Sequence, residues 1–261
     1  MLGRKDGSSR GKGGSMHYYN KEQNFYGGNG IVGAQIPVGA GLGFALKYKG
    51  NPNKNVSVAM YGDGAANQGQ LYEAANMSAL WDLPVIFLCE NNRYSMGTSV
   101  ERHSAGGHDF HKKVYSVPGI RLNGMCIFTI KNAMKFAKKY SSENGPLMVA
   151  IDTYRYHGHS MSDPGITYRN SQEVQEVRKT IDCIKNLQKI LIDNDFANAE
   201  TLKNIDREIK KEVETAVKKS QNCAVSPSEW LTQDIYENDN GYYIRAPNYE
   251  NSKFVSKQGI N

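Results

Sequence analysis

Gly62-Asp63-Gly64 closes the apolar segment VSVAMYG, and Asn91-Asn92 closes the next apolar segment, LPVIFLCE. A buried strand has no use for these side chains, whereas a ligand does. One anionic oxygen, one amide oxygen and a nearby backbone carbonyl are hard ligands, suited to an octahedral Mg2+ that completes its shell with phosphate oxygens and water. Paired glycines let the backbone approach a ligand closely. A helix beginning just after Gly64 would turn its free N–H groups and positive dipole end to the same point. The chemistry implied is a metal-bridged diphosphate. Gly-Asp-Gly alone is also ordinary turn chemistry, and its pairing with Asn-Asn across one helix is what separates the two readings.

Other segments have candidate roles of their own. In YRYHGHSMSDPGITYR, His157 and His159 alternate like strand neighbours, but no third imidazole or thiol lies near in sequence, which argues against zinc. A titratable His159 on a glycine-flanked loop suits proton transfer at neutral pH or donation to an anion. The competing reading is an exposed loop histidine. GGNGIVG, taken alone, reads as a tight loop.

The paired motifs need parallel neighbouring strands, because ligands of such sheets bind beyond the carboxyl ends of the strands. VSVAMYG, the helical GQLYEAANMSALW and LPVIFLC give strand, helix, strand, hence a right-handed crossover and a sheet covered on both faces. A helix precedes them from Pro37 to about Tyr48, with Val38, Leu42, Ala45 and Leu46 at helical spacing. Two further strands are expected at MCIFTI (125–130) and PLMVAIDTY (146–154), with the helix KNAMKFAKKY between them. Beyond them Leu202, Ile205, Ile209, Val213 and Val217 line one face of a helix capped by Asn198. SPSEWLTQDIYENDNGYYIRAPNYE is aromatic and turn-rich, and reads as an arm packing on a neighbour or as a surface tail. The fold class is therefore α/β, a parallel sheet flanked by helices with a helical C-terminal region and arm. Three regions follow: a flexible glycine-rich basic segment (1–16), the α/β ligand-binding domain (17–170) and a helical extension with the arm (171–261).

At 261 residues and 39% apolar content the chain can bury a core. Its longest apolar runs are about seven residues, short of the ~20 that cross a bilayer. The net charge of +6 invites a nucleic-acid reading, but residues 171–221 carry ten Lys/Arg against ten Asp/Glu, and part of the excess sits in the first sixteen residues. Neither a membrane nor a nucleic acid is an expected partner. Cys89, Cys126, Cys183 and Cys223 form no CxxC pair and fit reduced thiols of an intracellular compartment.

YGDGAANQGQ, CENNRYSMGTSVER, GGNGIVGAQIPVGAG and TYRYHGHSMSDPG together resemble the alpha subunits of pyruvate dehydrogenase, the first component of that complex, over nearly the whole chain. The resemblance implies the thiamine diphosphate-binding fold, with thiamine diphosphate and Mg2+ as cofactors. It implies that Asp63 and Asn92 coordinate the metal through their side chains and Tyr94 through its carbonyl. Gly64 and Ala65 then hold the diphosphate by backbone N–H groups, and Gly30 and Val32 meet the aminopyrimidine by backbone. His159 becomes the catalytic histidine, contacting cofactor phosphate and assisting transfer to the lipoyl group. Ser160, Thr167 and Ser99 match positions that an inhibitory kinase modifies in mitochondrial members. There a phosphate would repel the diphosphate and disorder its loop. Thr167 stands where animal members carry serine, and Ser95 where glycine is usual.

The implied activity is oxidative decarboxylation of pyruvate with reductive acetylation of the lipoyl group, feeding acetyl-CoA synthesis. The implied partners are a beta subunit in an α2β2 assembly, the lipoyl domain of the dihydrolipoamide acetyltransferase component, and a regulatory kinase and phosphatase. The implied compartment is the mitochondrial matrix, with plastid and bacterial cytoplasm as alternatives. Family members carry a longer N-terminal region, with part of the sheet, a targeting peptide and further diphosphate and pyruvate contacts, so the chain reads as N-terminally truncated. Competing readings are acetoin or branched-chain 2-oxo acid dehydrogenase alpha subunits, and a non-catalytic assembly or regulatory subunit.

Overall fold

A computed structural model describes residues 1–17 and 19–234, together with the backbone of 242–244, 253–256 and 259–260. The chain divides into two units, Ile31–Ile205 and the combination of Met1–Gly30 with Asp206–Asn261.

The larger unit is built on four parallel strands in the order β1 (Ser57–Gly62), β2 (Val85–Asn91), β6 (Leu147–Asp152), β5 (Gly119–Asn123). β2 and β6 are the inner strands, and their near-continuous apolar sequences follow from burial on both faces. Val85, Phe87 and Cys89 of β2 pack in one cluster with Ile36 and Ala40 of helix α1 (Gln35–Tyr48) and Leu71, Ala74 and Ala75 of α2 (Gly69–Leu80). Ile86 and Leu88, which alternate with them, pack with Ala137, Met134 and Tyr140 of α4 (Ile127–Asn144) on the other face. The period-two alternation of β2 thus serves two helical layers, as the strand, helix, strand pattern implies.

One expected strand is corrected. MCIFTI forms the approach and first turn of α4, and the strand lies before it as β5. Ile130 and Met134 are half-buried, while Ala137 and Ser141 are buried, a helical spacing that faces the sheet. A six-residue apolar run cannot distinguish the two periods by itself. β5 escaped notice because it is an edge strand, GIRLN, with exposed Arg121 and Asn123. The Asn123 side chain accepts from the Met125 N–H at 2.9 Å, turning the chain between strand and helix.

In the other unit the glycine-rich N-terminal stretch forms successive turns rather than a solvated tail. Lys5 N–H donates to the Ala224 carbonyl at 3.0 Å. Arg10 and Lys12 both pair with Asp234, at 2.9 and 2.8 Å, and the Arg10 guanidinium lies 4.0 Å over the Trp230 ring. Helix α7 (Ala199–Asn222) is capped as expected, with Asn198 accepting from the Thr201 N–H at 2.8 Å. Its stripe of Ile205, Ile209, Val213 and Val217 is exposed. The expected C-terminal arm, 226–250, lies largely outside the described residues. A 3-10 turn at Ser228–Thr232 and the backbone of an antiparallel sheet, β7 (Tyr242–Ile244), β8 (Lys253–Ser256) and β9 (Gly259–Ile260), are described there. Among the described residues no helix is long and apolar enough to cross a membrane.

Close approach of α1 to the sheet depends on two glycines one turn apart. A Cβ on Gly39 would sit 2.5 Å from Ala59 Cβ, one on Gly43 would collide with Val85 Cγ2, and Gly41 has nothing within 4 Å. The Gly39 carbonyl also accepts a buried bond from the Ser57 hydroxyl at 2.8 Å. Gly39→Ala is therefore expected to destabilise the chain by roughly 1–2 kcal/mol, overpacking exceeding the helix-propensity gain. Gly41→Ala should stabilise it by up to about 1 kcal/mol. Urea unfolding midpoints check both, and equal shifts of the same sign would contradict the close packing.

Candidate functional site

β1 and β2 run in parallel with Gly62 opposite Glu90, so the turns that follow them leave the sheet at the same end. Asp63, the first residue past β1, is buried, with 2% of its surface exposed. Beyond β2 the chain folds back as a hairpin, β3 (Tyr94–Ser95) against β4 (Thr98–Ser99), with Arg93 and Met96 at φ of 68° and 51°. A Cβ on Gly64 would collide with the Ser95 hydroxyl, so the Gly-Asp-Gly turn and the Asn-Asn hairpin touch, and only glycine permits it.

The two asparagines separate in role. Asn91 is 1% exposed, and its Nδ2 donates to Asp152 Oδ1 and His108 Nδ1, each at 2.8 Å, while its Oδ1 accepts from the Arg93 N–H at 3.2 Å. It locks the ends of β2 and β6 together. Asn92 is half-buried and donates through Nδ2 to the Glu90 carbonyl at 3.2 Å, which leaves its amide oxygen without a partner among the described residues. The Tyr94 carbonyl accepts from Arg155 Nη1 at 2.8 Å, and its second lone pair remains.

The helix after Gly64 needs correction. Ala65–Asn67 is a single 3-10 turn, and α2 starts only at Gly69. A 3-10 turn still leaves its first N–H groups without acceptors inside the turn, and those of Gly64 and Ala65 donate to no described residue. Ala65 and Ala66 are buried beneath them.

Burial, and then the nearby Asp63 carboxylate, pushes the Cys89 thiol far up, so it stays neutral and acts as packing. Asp63 Oδ2 faces His103 Nε2 at 3.3 Å, whereas Oδ1 accepts from no described residue. A buried carboxylate with one open oxygen, an open amide oxygen and the two free N–H groups of Gly64 and Ala65 fit a cation that carries a diphosphate. Among the described residues no group of three or more His, Cys, Asp or Glu could hold a metal.

The His157–His159 loop follows β6; Arg155 anchors it to the hairpin and Arg169 braces it from within. Arg155 donates to the carbonyls of Tyr94 and Met96, at 2.8 and 2.6 Å, and to the Tyr168 hydroxyl at 3.0 Å. Buried Arg169 donates to the carbonyls of Gly165 and His157, each at 2.9 Å, and to that of Arg155. Its guanidinium lies 5.3 to 5.7 Å from the rings of Tyr94, Tyr154 and Tyr168. Glu173 accepts from the Tyr154 hydroxyl at 2.8 Å. Burial and that carboxylate push the hydroxyl up to about 12. The His159 and Ser160 side chains and Thr167 are exposed, Ser99 is half-buried at the end of β4, and Val32 is exposed with its carbonyl accepting from Gln70 Nε2 at 3.3 Å. Gly30 belongs to the other unit, where it lies beside His17. The structure therefore brings together Asp63, Gly64, Ala65, Asn92 and Tyr94. It leaves the His159 ring without a hydrogen bond among the described residues. His103, Arg155 and Arg169 carry no local sequence signal, whereas the Asp-Pro-Gly turn at Asp163 could have been read.

Asp163 organises that loop. Its carboxylate accepts from the His159 N–H at 2.7 Å, the Tyr168 hydroxyl at 2.8 Å and the Gly165 N–H at 2.8 Å. These donors, the His159 N–H foremost, lower its pKa to about 2. Because the folded pKa is depressed, the stabilisation is full above the unfolded value near 4 and disappears as pH falls through about 2. Hydrogen exchange at the His159 and Gly165 amides should accordingly stay protected from pH 7 to pH 4, and Asp163→Ala, which removes both acceptor oxygens, should remove that protection at pH 7. Protection already lost at pH 5 would contradict the arrangement.

The Dehydrogenase E1 component family matches residues 1–229. The chain is 52% identical over 233 residues to the pyruvate dehydrogenase E1 component subunit alpha-1, mitochondrial, of Arabidopsis thaliana, covering 89% of this chain and 59% of that protein. It is 54% identical over 247 residues to the probable mitochondrial alpha subunit of Caenorhabditis elegans, covering 94% and 61%. It is 51% identical over 249 residues to the somatic mitochondrial form of Homo sapiens, covering 95% and 63%. The chain thus spans about three-fifths of the length of the curated relatives it matches. By the extent of the family match, the chain belongs to the dehydrogenase E1 component family.

Proposed function

We propose that this chain is the alpha subunit of a pyruvate dehydrogenase and holds Mg2+ with thiamine diphosphate at the carboxyl ends of β1 and β2. The observation that carries the reading is the buried Asp63 carboxylate with Oδ1 open, at a turn whose Gly64 lies against the Asn92 hairpin. Asp63 Oδ1, the Asn92 amide oxygen and the Tyr94 carbonyl would take the cation, and the Gly64 and Ala65 N–H groups the diphosphate. Val32 would meet the aminopyrimidine through its backbone. Bound thiamine diphosphate supplies a nucleophilic carbon and an electron sink for loss of CO2 from a 2-oxo acid.

His159, on a loop fixed by Asp163 and the two arginines, presents an exposed imidazole able to donate to an anion or pass a proton during acetyl transfer to a lipoyl group. The partners in this reading are a beta subunit in an α2β2 assembly and the lipoyl domain of the acetyltransferase component. The compartment is the mitochondrial matrix, as the names of the relatives suggest. Exposed Ser160 and Thr167, with Ser99, are the proposed targets of a regulatory kinase and phosphatase. A phosphate at Ser160 would add negative charge one residue from His159 and disturb the loop that Asp163 organises. One observation favours a second reading, an assembly subunit that holds cofactor weakly. The Arg155 guanidinium bonds the Tyr94 carbonyl, placing a positive charge next to a proposed cation ligand.

Calorimetric titration of Mg2+–thiamine diphosphate into the chain co-purified with its beta partner separates the two. Saturable binding is expected, weakened at least about 100-fold in Asp63→Ala, since loss of a charged ligand should exceed the 10- to 100-fold typical of outer partners. A stable assembly with no binding would leave the assembly-subunit reading, and unaltered binding in Asp63→Ala would remove Asp63 from the site.

A further inference from the structure

His103 closes the short helix α3 (Val100–His103) and lies between the Gly-Asp-Gly turn and Lys113. Its side chain is 13% exposed and that of Asp63 is 3% exposed. Lys113 Nζ donates to Asn67 Oδ1 at 2.7 Å and to the buried Ser104 hydroxyl at 2.9 Å. Asn67 Nδ2 lies 3.0 Å from His103 Nδ1, and His103 Nε2 lies 3.3 Å from Asp63 Oδ2.

The direction of this chain of bonds is forced by its first member. An ammonium group can only donate, so the Asn67 oxygen faces Lys113 and the Asn67 NH2 faces His103. Nδ1 of the ring must then accept. The ring proton therefore sits on Nε2 and points at Asp63 Oδ2. With Oδ2 engaged from behind, Asp63 Oδ1 is the carboxylate oxygen left open.

We propose that His103 is a positioning residue for the cation site, fixing the Asp63 carboxylate so that Oδ1 faces the Mg2+ of Mg2+–thiamine diphosphate. The inference rests on Asp63 being a cation ligand. The contact of 3.3 Å is at the long end for an N–H donor, which suits orienting a carboxylate whose charge is shared with a metal rather than neutralising it.

The test uses the chain assembled with its beta partner and reads Mg2+–thiamine diphosphate affinity by calorimetry, with the thermal midpoint of the metal-free assembly beside it. His103→Gln keeps an N–H donor near the Nε2 position. His103→Asn keeps a group near the Nδ1 position beside Asn67 and removes the donor to Asp63. Affinity is expected to fall about 10- to 100-fold in His103→Asn, the range for partners that orient a ligand, and to stay within about 3-fold of the parent in His103→Gln. If His103→Asn does not fold, Asn67→Ala releases the ring from its other side and should weaken binding about 3- to 10-fold with His103 intact. Parent affinity in His103→Asn would overturn the proposal, as would equal losses in the Asn and Gln variants, which would mark a packing role only. Asp63→Ala serves as control: parent affinity there fails the cation-ligand reading itself, whereas a loss confined to Asp63→Ala fails His103 alone.

Discussion

A carboxylate held out of water at the end of a parallel strand is the constraint around which this molecule is arranged. Burying such a charge costs several kcal/mol unless hydrogen bonds or a counter-charge offset it. Asp63 is buried, yet its side chain has a single partner among the described residues, the His103 ring. In the proposed reading, the glycines on either side, the free N–H groups after it and the Asn92 amide prepare the turn for a cation and its anionic cargo. β2 supplies the rigid base, packed between two helical layers, and β1 joins it through Ala59 and Tyr61 on one face, leaving Val58 and Met60 exposed on the other.

A second tier of polar contacts fixes the loops at the same edge of the sheet. Asn91 is spent tying β2 to β6, which frees Asn92 to face outward. Arg155 holds the loop after β6 to the hairpin after β2 through the Tyr94 and Met96 carbonyls, and Arg169 braces the loop through its own carbonyls, so hairpin geometry and loop geometry are mechanically linked. In the proposed reading this couples the exposed His159–Ser160 segment to the carbonyl of Tyr94. A charge added to that segment would then be felt at the cation site through Arg155, without any direct contact.

Much of this is legible in the sequence. The pairing of Asp63 with Asn92 follows from strand, helix, strand, because a right-handed crossover puts the two carboxyl ends side by side. The cap at Asn198 and the start of α1 near Pro37 follow from local chemistry in the same way. MCIFTI is ambiguous because an apolar run of that length satisfies both periods, and the strand, GIRLN, hides its role behind the exposed Arg121 and Asn123 of an edge. GQLYEAANMSALW is helical from Gly69 as its pattern implies, whereas the start expected directly after Gly64 is a 3-10 turn, which satisfies the same orphan N–H logic as a helix. His103 was not legible at all: its meaning comes from Asn67 and Lys113, and no spacing along the chain announces a three-step relay across loops.

The most direct measurement is anomalous diffraction from the assembled alpha and beta chains grown with thiamine diphosphate and Mn2+ in place of Mg2+. The expected result is one strong anomalous peak per site, about 2.0–2.2 Å from Asp63 Oδ1 and from the oxygens of Asn92 and Tyr94, at the octahedral spacing of a small hard cation. A peak held by other residues, or an Asp63 carboxylate still bonded only to His103 with cofactor bound elsewhere, would contradict the assignment of the carboxyl ends of β1 and β2 as the cofactor site.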